Sequence, residues 1–335
     1  MLSGQTMAEL RKATPHIPGS DQPRWAAALG RGSASGGVHV VAPSGPVNSE
    51  RVRRGLAHVR RRYGEPRLAA NLERRAGYFA GDDAERLASL ELALRDEQAH
   101  VIWAARGGFG ATRLLGRLDP ALLERPKLLV GFSDVSALLC WAWTRARVPS
   151  IHGPVIGQLN ELHEDDRQRL WALLEGELPE PLCANEHSAS LHGGRVEGRL
   201  IASNLEVLRS LIGTPHMPSL NGAILALEEV GERPYRVDRA LTQLLDSGSL
   251  RGVAGVVVGD LHGCEEPEHG GSRGWTAAEV LDDRLGRLGV PVLLGLPFGH
   301  APGRNAALGF GVLARLDADQ GALEQLEPVA LGEAT

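Results

Sequence analysis

Three times before its midpoint the chain passes from a short apolar run, through a turn that holds glycine, into a segment with helical spacing. That alternation admits few folds besides a parallel sheet with helices on both faces. Parallel neighbours need long crossover connections, and helices supply them. The first unit starts at Val38, turns at Ala42-Pro-Ser-Gly-Pro46 and continues as a helix from Glu50 to Tyr63 with Val52, Leu56 and Val59 on its apolar face. The arginines of that helix, Arg51, Arg53, Arg54, Arg60, Arg61 and Arg62, read as its solvated side. The second unit runs from Ala99 to Leu115 around the loop Arg106-Gly-Gly-Phe-Gly110. The third, Lys127 to Cys140, has Leu128, Leu129 and Val130 as a strand covered on both faces, then a sharp turn at Gly131-Phe-Ser-Asp134. Val135, Leu138, Leu139 and Trp143 follow at helical spacing. In such a sheet ligands bind beyond the carboxyl ends of the strands, and the loops at 106–110 and 131–134 both leave that edge.

With 335 residues the chain exceeds most single cores, so two domains are expected. Residues 1–37 read as a flexible leader rich in Gly, Ser and Pro, with no apolar segment of the secretory kind. Residues 38–160 form the first domain, 161–194 a polar linker, and 195–335 a smaller, β-rich mixed domain. Within that second half Val196 to Ala202, Ala223 to Leu227, Val253 to Val258 and Val290 to Leu294 read as strands, and Ser203-Asn204 as a helix cap. A net charge of −5 argues against nucleic acid as a partner. No apolar run approaches the ~20 residues that cross a bilayer, and three cysteines far apart suggest a reducing compartment. The expectation is a cytoplasmic protein without a membrane partner.

Three chemistries compete for the site. A serine nucleophile is the first: Ser133, Glu228 and His300 each follow a buried strand in a turn rich in Gly or Pro, where a side chain is held rigidly yet reaches the sheet edge. Taken alone, Ser133 and Asp134 read as helix caps. Metal binding is the second, at His262, Cys264, Glu265, Glu266, Glu268 and His269, but the spacing fits no common zinc pattern and no metal is expected. A cysteine nucleophile at Cys140 is the third; the residue lies on an apolar helix face and reads as core. The glycine loop at 106–110 lacks both GxGxxG and the GK[ST] ending of a P-loop, so no nucleotide cofactor is expected.

Six segments in order then point one way: Ala42-Pro-Ser-Gly-Pro46, Arg106-Gly-Gly-Phe-Gly110, Gly131-Phe-Ser-Asp134, Ile151-His-Gly-Pro154, Leu227 to Arg239 and Gly299-His300. The chain resembles the LD-carboxypeptidases, serine peptidases of the muramoyltetrapeptide carboxypeptidase type, from about 38 to 325. The resemblance implies a Rossmann-like first domain, a β-rich second domain and an active site in the cleft between them. It places the nucleophile on Ser133, the acid on Glu228, the base on His300, and the oxyanion donors on the amides of Asp134 and Gly108. It implies release of terminal D-alanine from L,D-linked murein peptides in peptidoglycan recycling, with no metal or cofactor, by an enzyme that is a homodimer. Arg106, Gly107, Asn204 and Arg236 are the candidate substrate contacts, with Arg239 a further candidate for the terminal carboxylate. Arg236 and Arg239, three apart on a helix, also read as structural ion pairs. Two departures bear on substrate choice: Ala202-Ser203-Asn204-Leu205 where the family usually has Gly-Gly-Asn-Leu, and Ala301-Pro302 after His300. The rival within the fold is a self-immunity peptidase cleaving peptidyl-nucleotide antibiotics of the microcin C type. Such an enzyme needs an aromatic against the base, and the linker offers only Trp171.

Overall fold

A computed structural model describes residues 37–266 and 274–329. The strands β1 (Val38–Val41), β3 (Val101–Ala104) and β4 (Leu128–Gly131) are buried at every position, as the apolar runs require. With β2 (Arg67–Leu68) and β5 (Ser150–His152) they form a parallel array, in register at Val40 with Trp103 and at Ile102 with Leu129. Alternation along each strand sorts the side chains into two cores. Val38, Val40, Val101, Trp103, Leu128 and Val130 meet Val52, Leu56 and Val59 of α1 (Ser49–Tyr63) and Leu170 and Trp171 of α5 (Glu164–Leu174). Val41, Ile102, Ala104 and Leu129 turn the other way, toward Leu90 and Leu94 of α2 (Asp83–Arg95) and Leu138 and Leu139 of α4 (Ser136–Ala146). Between them lies the one-turn helix α3 (Thr112–Leu115).

Among the described residues the second sheet has eight strands. Its centre is parallel: β8 (Arg195–Asn204), β9 (Ala223–Val230), β10 (Gly255–His262) and β11 (Val292–Leu294). Antiparallel strands flank it, β7 (Ala189–His192) beside β11, and β13 (Leu313–Asp317), β14 (Ala322–Gln325) and β6 (Leu182–Cys183) beyond β8. The helices α6 (Leu205–Ser210), α7 (Pro234–Asp246) and α8 (Ala277–Leu285) pack in sequence, α7 touching both others. The core around α4 continues without a break into Leu200, Ile201, Leu225 and Leu227, so the helix that follows Ser133 is seated on the second sheet as well as the first.

The chain is divided less simply than 38–160, 161–194 and 195–335. The stretch expected as a linker holds α5, whose Leu170 and Trp171 belong to the first core, and two edge strands of the second sheet. Late in the chain β12 (Leu308–Phe310) returns to the first sheet and pairs antiparallel with β5. These links fix the two sheets relative to one another, which a cleft site made from both requires. Apart from Gly37, the expected leader lies outside the described residues.

Candidate active site

Ser133 stands one turn past β4, and its backbone is in the left-handed region, with φ of 60°. For a residue with a Cβ this costs on the order of 1–2 kcal/mol, and such strain collects where a side chain must be aimed. Phe132, and not Ser133, stands at the N-cap of the turn, so the helix-cap reading does not describe Ser133. Asp134 is no cap either. Its buried carboxylate accepts from the Ala111 N–H at 2.8 Å and so ties the turn after β4 to the end of the glycine loop. Burial raises the pKa of that carboxyl, against the hydrogen bonds that it accepts. The loop is anchored a second time by Arg86, wholly buried, which donates to Gly110 O at 2.9 Å and to Pro43 O. A third tie is the Gly45 N–H, which donates to Gly107 O at 3.0 Å.

Glu228 comes from β9, in register with Asn204 of β8, and is completely buried. His300 comes from the turn after β11. That turn is stapled to α5 through Asp166, which accepts from Arg304 at 2.8 and 3.1 Å and from the Asn305 N–H at 3.0 Å. Asn305 Oδ1 in turn accepts from the Gly299 N–H at 3.1 Å. Gly299 has φ of 126°, and a Cβ there would lie 3.1 Å from that of Glu228, so only glycine lets the turn pass so close to β9. The result is a bond of 2.6 Å between His300 Nδ1 and Glu228 Oε2. The imidazole also packs on Phe132, ring centroids 4.6 Å apart. Burial opposes the charged ring most strongly, but the hydrogen bond and charge of Glu228, with Glu229 and Asp260 behind it, outweigh burial and raise the His300 pKa.

His300 and Ser133 line one cavity of about 600 Å³, with Gly107, Gly108, Arg106 and Arg51 around them. A hydroxyl, an imidazole oriented by a buried carboxylate, and a glycine loop at the hydroxyl form the constellation that nucleophilic acyl transfer needs. Models of the LD-carboxypeptidase N-terminal and C-terminal domains match residues 38–153 and 197–316.

The chain belongs to the LD-carboxypeptidase family. It is 40% identical over 288 residues to a putative carboxypeptidase of Synechocystis sp., covering 86% of this chain and 93% of that protein. It is 32% identical over 321 residues to the murein tetrapeptide carboxypeptidase of Pseudomonas aeruginosa, covering 90% and 98%. The solved structure of MccF in complex with glutamyl sulfamoyl guanosine superposes with a TM-score of 0.76 at 21% identity, covering 90% and 98%. At that identity the likeness is one of fold.

The substrate contacts expected of an LD-carboxypeptidase here are only partly gathered. Arg106 and Gly107 border the cavity, and Arg106 Nη1 donates to Pro46 O at 2.5 Å. Asn204 is buried: Oδ1 caps α6 through the Val207 N–H at 3.1 Å, and Nδ2 donates to Glu229 at 2.9 Å. Arg236 is exposed, paired with Glu232 at 3.2 Å, and lies outside the cavity; Arg239 sits over Tyr235. Trp171 is core, edge-on to Tyr63 and Trp103. Cys140 is buried, its pKa pushed up to about 12 by burial alone. Among the described residues no cluster of His, Cys, Asp and Glu is arranged for a metal; Glu268 and His269 lie outside them.

Sequence reading passed over Glu229, Asp260 and His152. Glu229 is buried beside Glu228, and burial, against the donors that it holds, pushes its pKa up to about 7. Asp260, raised chiefly by burial, lies on the same side of Gly299 as Glu228: a Cβ at Gly299 would stand 3.2 Å from that of Asp260. His152 is wholly buried edge-on to Phe132, and burial holds its pKa down to about 4. The tandem Glu228-Glu229 was the available signal for the first.

Gly107 supports a prediction. A Cβ there would stand 2.9 Å from Ser133 Cβ and 3.0 Å from Oγ, while its φ is not left-handed, so contact and not backbone is at stake. Gly107→Ala should lower kcat by about 100-fold through displacement of the hydroxyl. It should destabilise by about 1–3 kcal/mol, as overpacking does. Steady-state kinetics and thermal melting check both; unchanged turnover would mean that Ser133 does not react.

Proposed function

We propose that the chain is a serine LD-carboxypeptidase that releases terminal D-alanine from L,D-linked murein tetrapeptides. The observation that carries the reading is the 2.6 Å bond from His300 Nδ1 to buried Glu228, with Ser133 on the same cavity. With Nδ1 committed to Glu228, Nε2 is the nitrogen left to take the hydroxyl proton of Ser133. The Ser133 oxygen attacks the amide carbonyl, and the oxyanion faces the N–H groups of Asp134 and Gly108. His300 then passes its proton to the amine of D-alanine as the C–N bond breaks. Water, deprotonated by His300, attacks the ester and restores Ser133. Glu228 orients the imidazole through Nδ1 and balances the imidazolium. The cycle consumes only water and needs neither metal nor cofactor.

The murein peptide comes from the relative in Pseudomonas aeruginosa, and recycling in the cytoplasm by a homodimer is part of the same proposal. No helix among the described residues is long and apolar enough to cross a membrane. Mass spectrometry of products from an L,D-linked tetrapeptide and an aminoacyl nucleotide, offered side by side, tests the reading. The expected products are free D-alanine and the tripeptide. Selective cleavage of the aminoacyl nucleotide would instead assign the site to self-immunity.

A further inference from the structure

A carboxypeptidase has to recognise the negative charge at the end of its substrate, and the reading above leaves that group without a partner. Among the described residues His300 borders a larger and a smaller cavity. The larger also holds Ser133 and the glycine loop; the smaller, about 430 Å³, adjoins it and is lined by Arg51, Glu161, Gly303 and Arg304 without Ser133. The imidazole protonates the leaving amine, so the departing residue lies on the His300 side of the scissile bond, away from the oxyanion donors. One small amino acid fits the lesser cavity, while the longer acyl portion needs the larger.

Among the described residues three guanidinium groups border these cavities. Arg304 is committed to Asp166 by two bonds, at 2.8 and 3.1 Å. Arg106 belongs to the acyl side and donates to Pro46 O. Arg51 is different: with Gln158 and His300 it lines both cavities, and among the described residues only its Nη2 is engaged, by Glu161 Oε2 at 2.5 Å. That pair is about half exposed at both ends, so its net strength is small and a second carboxylate can compete for the arginine. Arg51 also stands in the first turn of α1, where the helix dipole favours an anion.

We propose that Arg51 receives the terminal carboxylate of the leaving amino acid and that Glu161 holds the guanidinium in place until substrate arrives. Arg51 thereby makes the enzyme a carboxypeptidase and not an endopeptidase. The inference rests on the proposed peptidase reading, and the test separates the two. The purified full chain is given a tetrapeptide ending in D-alanine and the same peptide ending in D-alaninamide. The wild type should prefer the acid. Arg51→Ala should lose about 10- to 100-fold in kcat/KM on the acid, the scale of one charge-assisted bond, with little change on the amide. Arg51→Lys should recover part of the loss, and Glu161→Gln, which removes the competing carboxylate, should lower KM for the acid. An Arg51→Ala variant that keeps the full preference for the acid overturns the inference and leaves the peptidase reading standing. A wild type that cleaves neither peptide overturns the reading itself, and the inference with it.

Discussion

Replacing Ser133 by alanine should lower D-alanine release by roughly four to six orders of magnitude, the scale found when a triad nucleophile is removed and only oriented binding remains. KM should change little, because the hydroxyl contributes to the transition state and hardly to the ground state. The fold should survive, since Ser133 is not the N-cap of the turn, which Asp134 ties to Ala111 at the end of a glycine loop that Arg86 anchors. Ser133→Gly adds a second readout. Both variants lack the nucleophile, but only glycine is at ease at φ of 60°. The glycine variant should therefore be more stable than the alanine variant by on the order of 1 kcal/mol, equally inactive, and melt several degrees higher. Calorimetry and a discontinuous assay for D-alanine measure these outcomes. Substantial turnover by either variant would move the nucleophile elsewhere; equal stability would mean that the backbone at 133 carries no strain.

Much of the scaffold was legible because one rule, alternation along buried strands, operates locally. Val38, Val40 and Val41 already announce a strand covered on both faces, and the structure sends them to two cores. The return of Leu308–Phe310 to the first sheet was not legible, because which edge a three-residue strand joins depends on the surface that the rest of the chain presents. The same holds for Leu182–Cys183 and Ala189–His192, short edge strands within a polar stretch that look like linker until a neighbour supplies the hydrogen bonds. At the site, sequence could mark strand ends but not depth. Asn204 and Arg236 had suitable chemistry for substrate; one is spent on a helix cap and Glu229, the other on a surface pair with Glu232. Arg51 was hidden among the other arginines of its helix, and only the first-turn position, next to the carboxyl edge of β1, sets it apart.

Glu228→Gln carries the second large effect, and its sign in pH can be worked out. His300 must be neutral to accept the proton of Ser133, so kcat/KM should rise with pH through the His300 pKa of the free enzyme. That pKa is raised, so the acid limb should lie above the ordinary histidine value of about 6.5. Glutamine keeps the size of Glu228 but removes the charge, and its amide can present a donor to Nδ1 and favour the wrong tautomer. The expected loss is about three to four orders of magnitude in kcat/KM, with the residual limb displaced to lower pH. Stability should follow the same linkage. A group whose folded pKa exceeds its unfolded one contributes stability fully below the unfolded value, and loses it as pH rises through the folded value. Whatever the offset between wild type and Glu228→Gln, the difference should therefore favour the wild type most at about pH 6 and shrink above the raised His300 pKa. A pH–rate profile and melting curves across the same range read both. An acid limb unmoved by the substitution would mean that Glu228 does not set the charge of His300, despite the 2.6 Å bond between them.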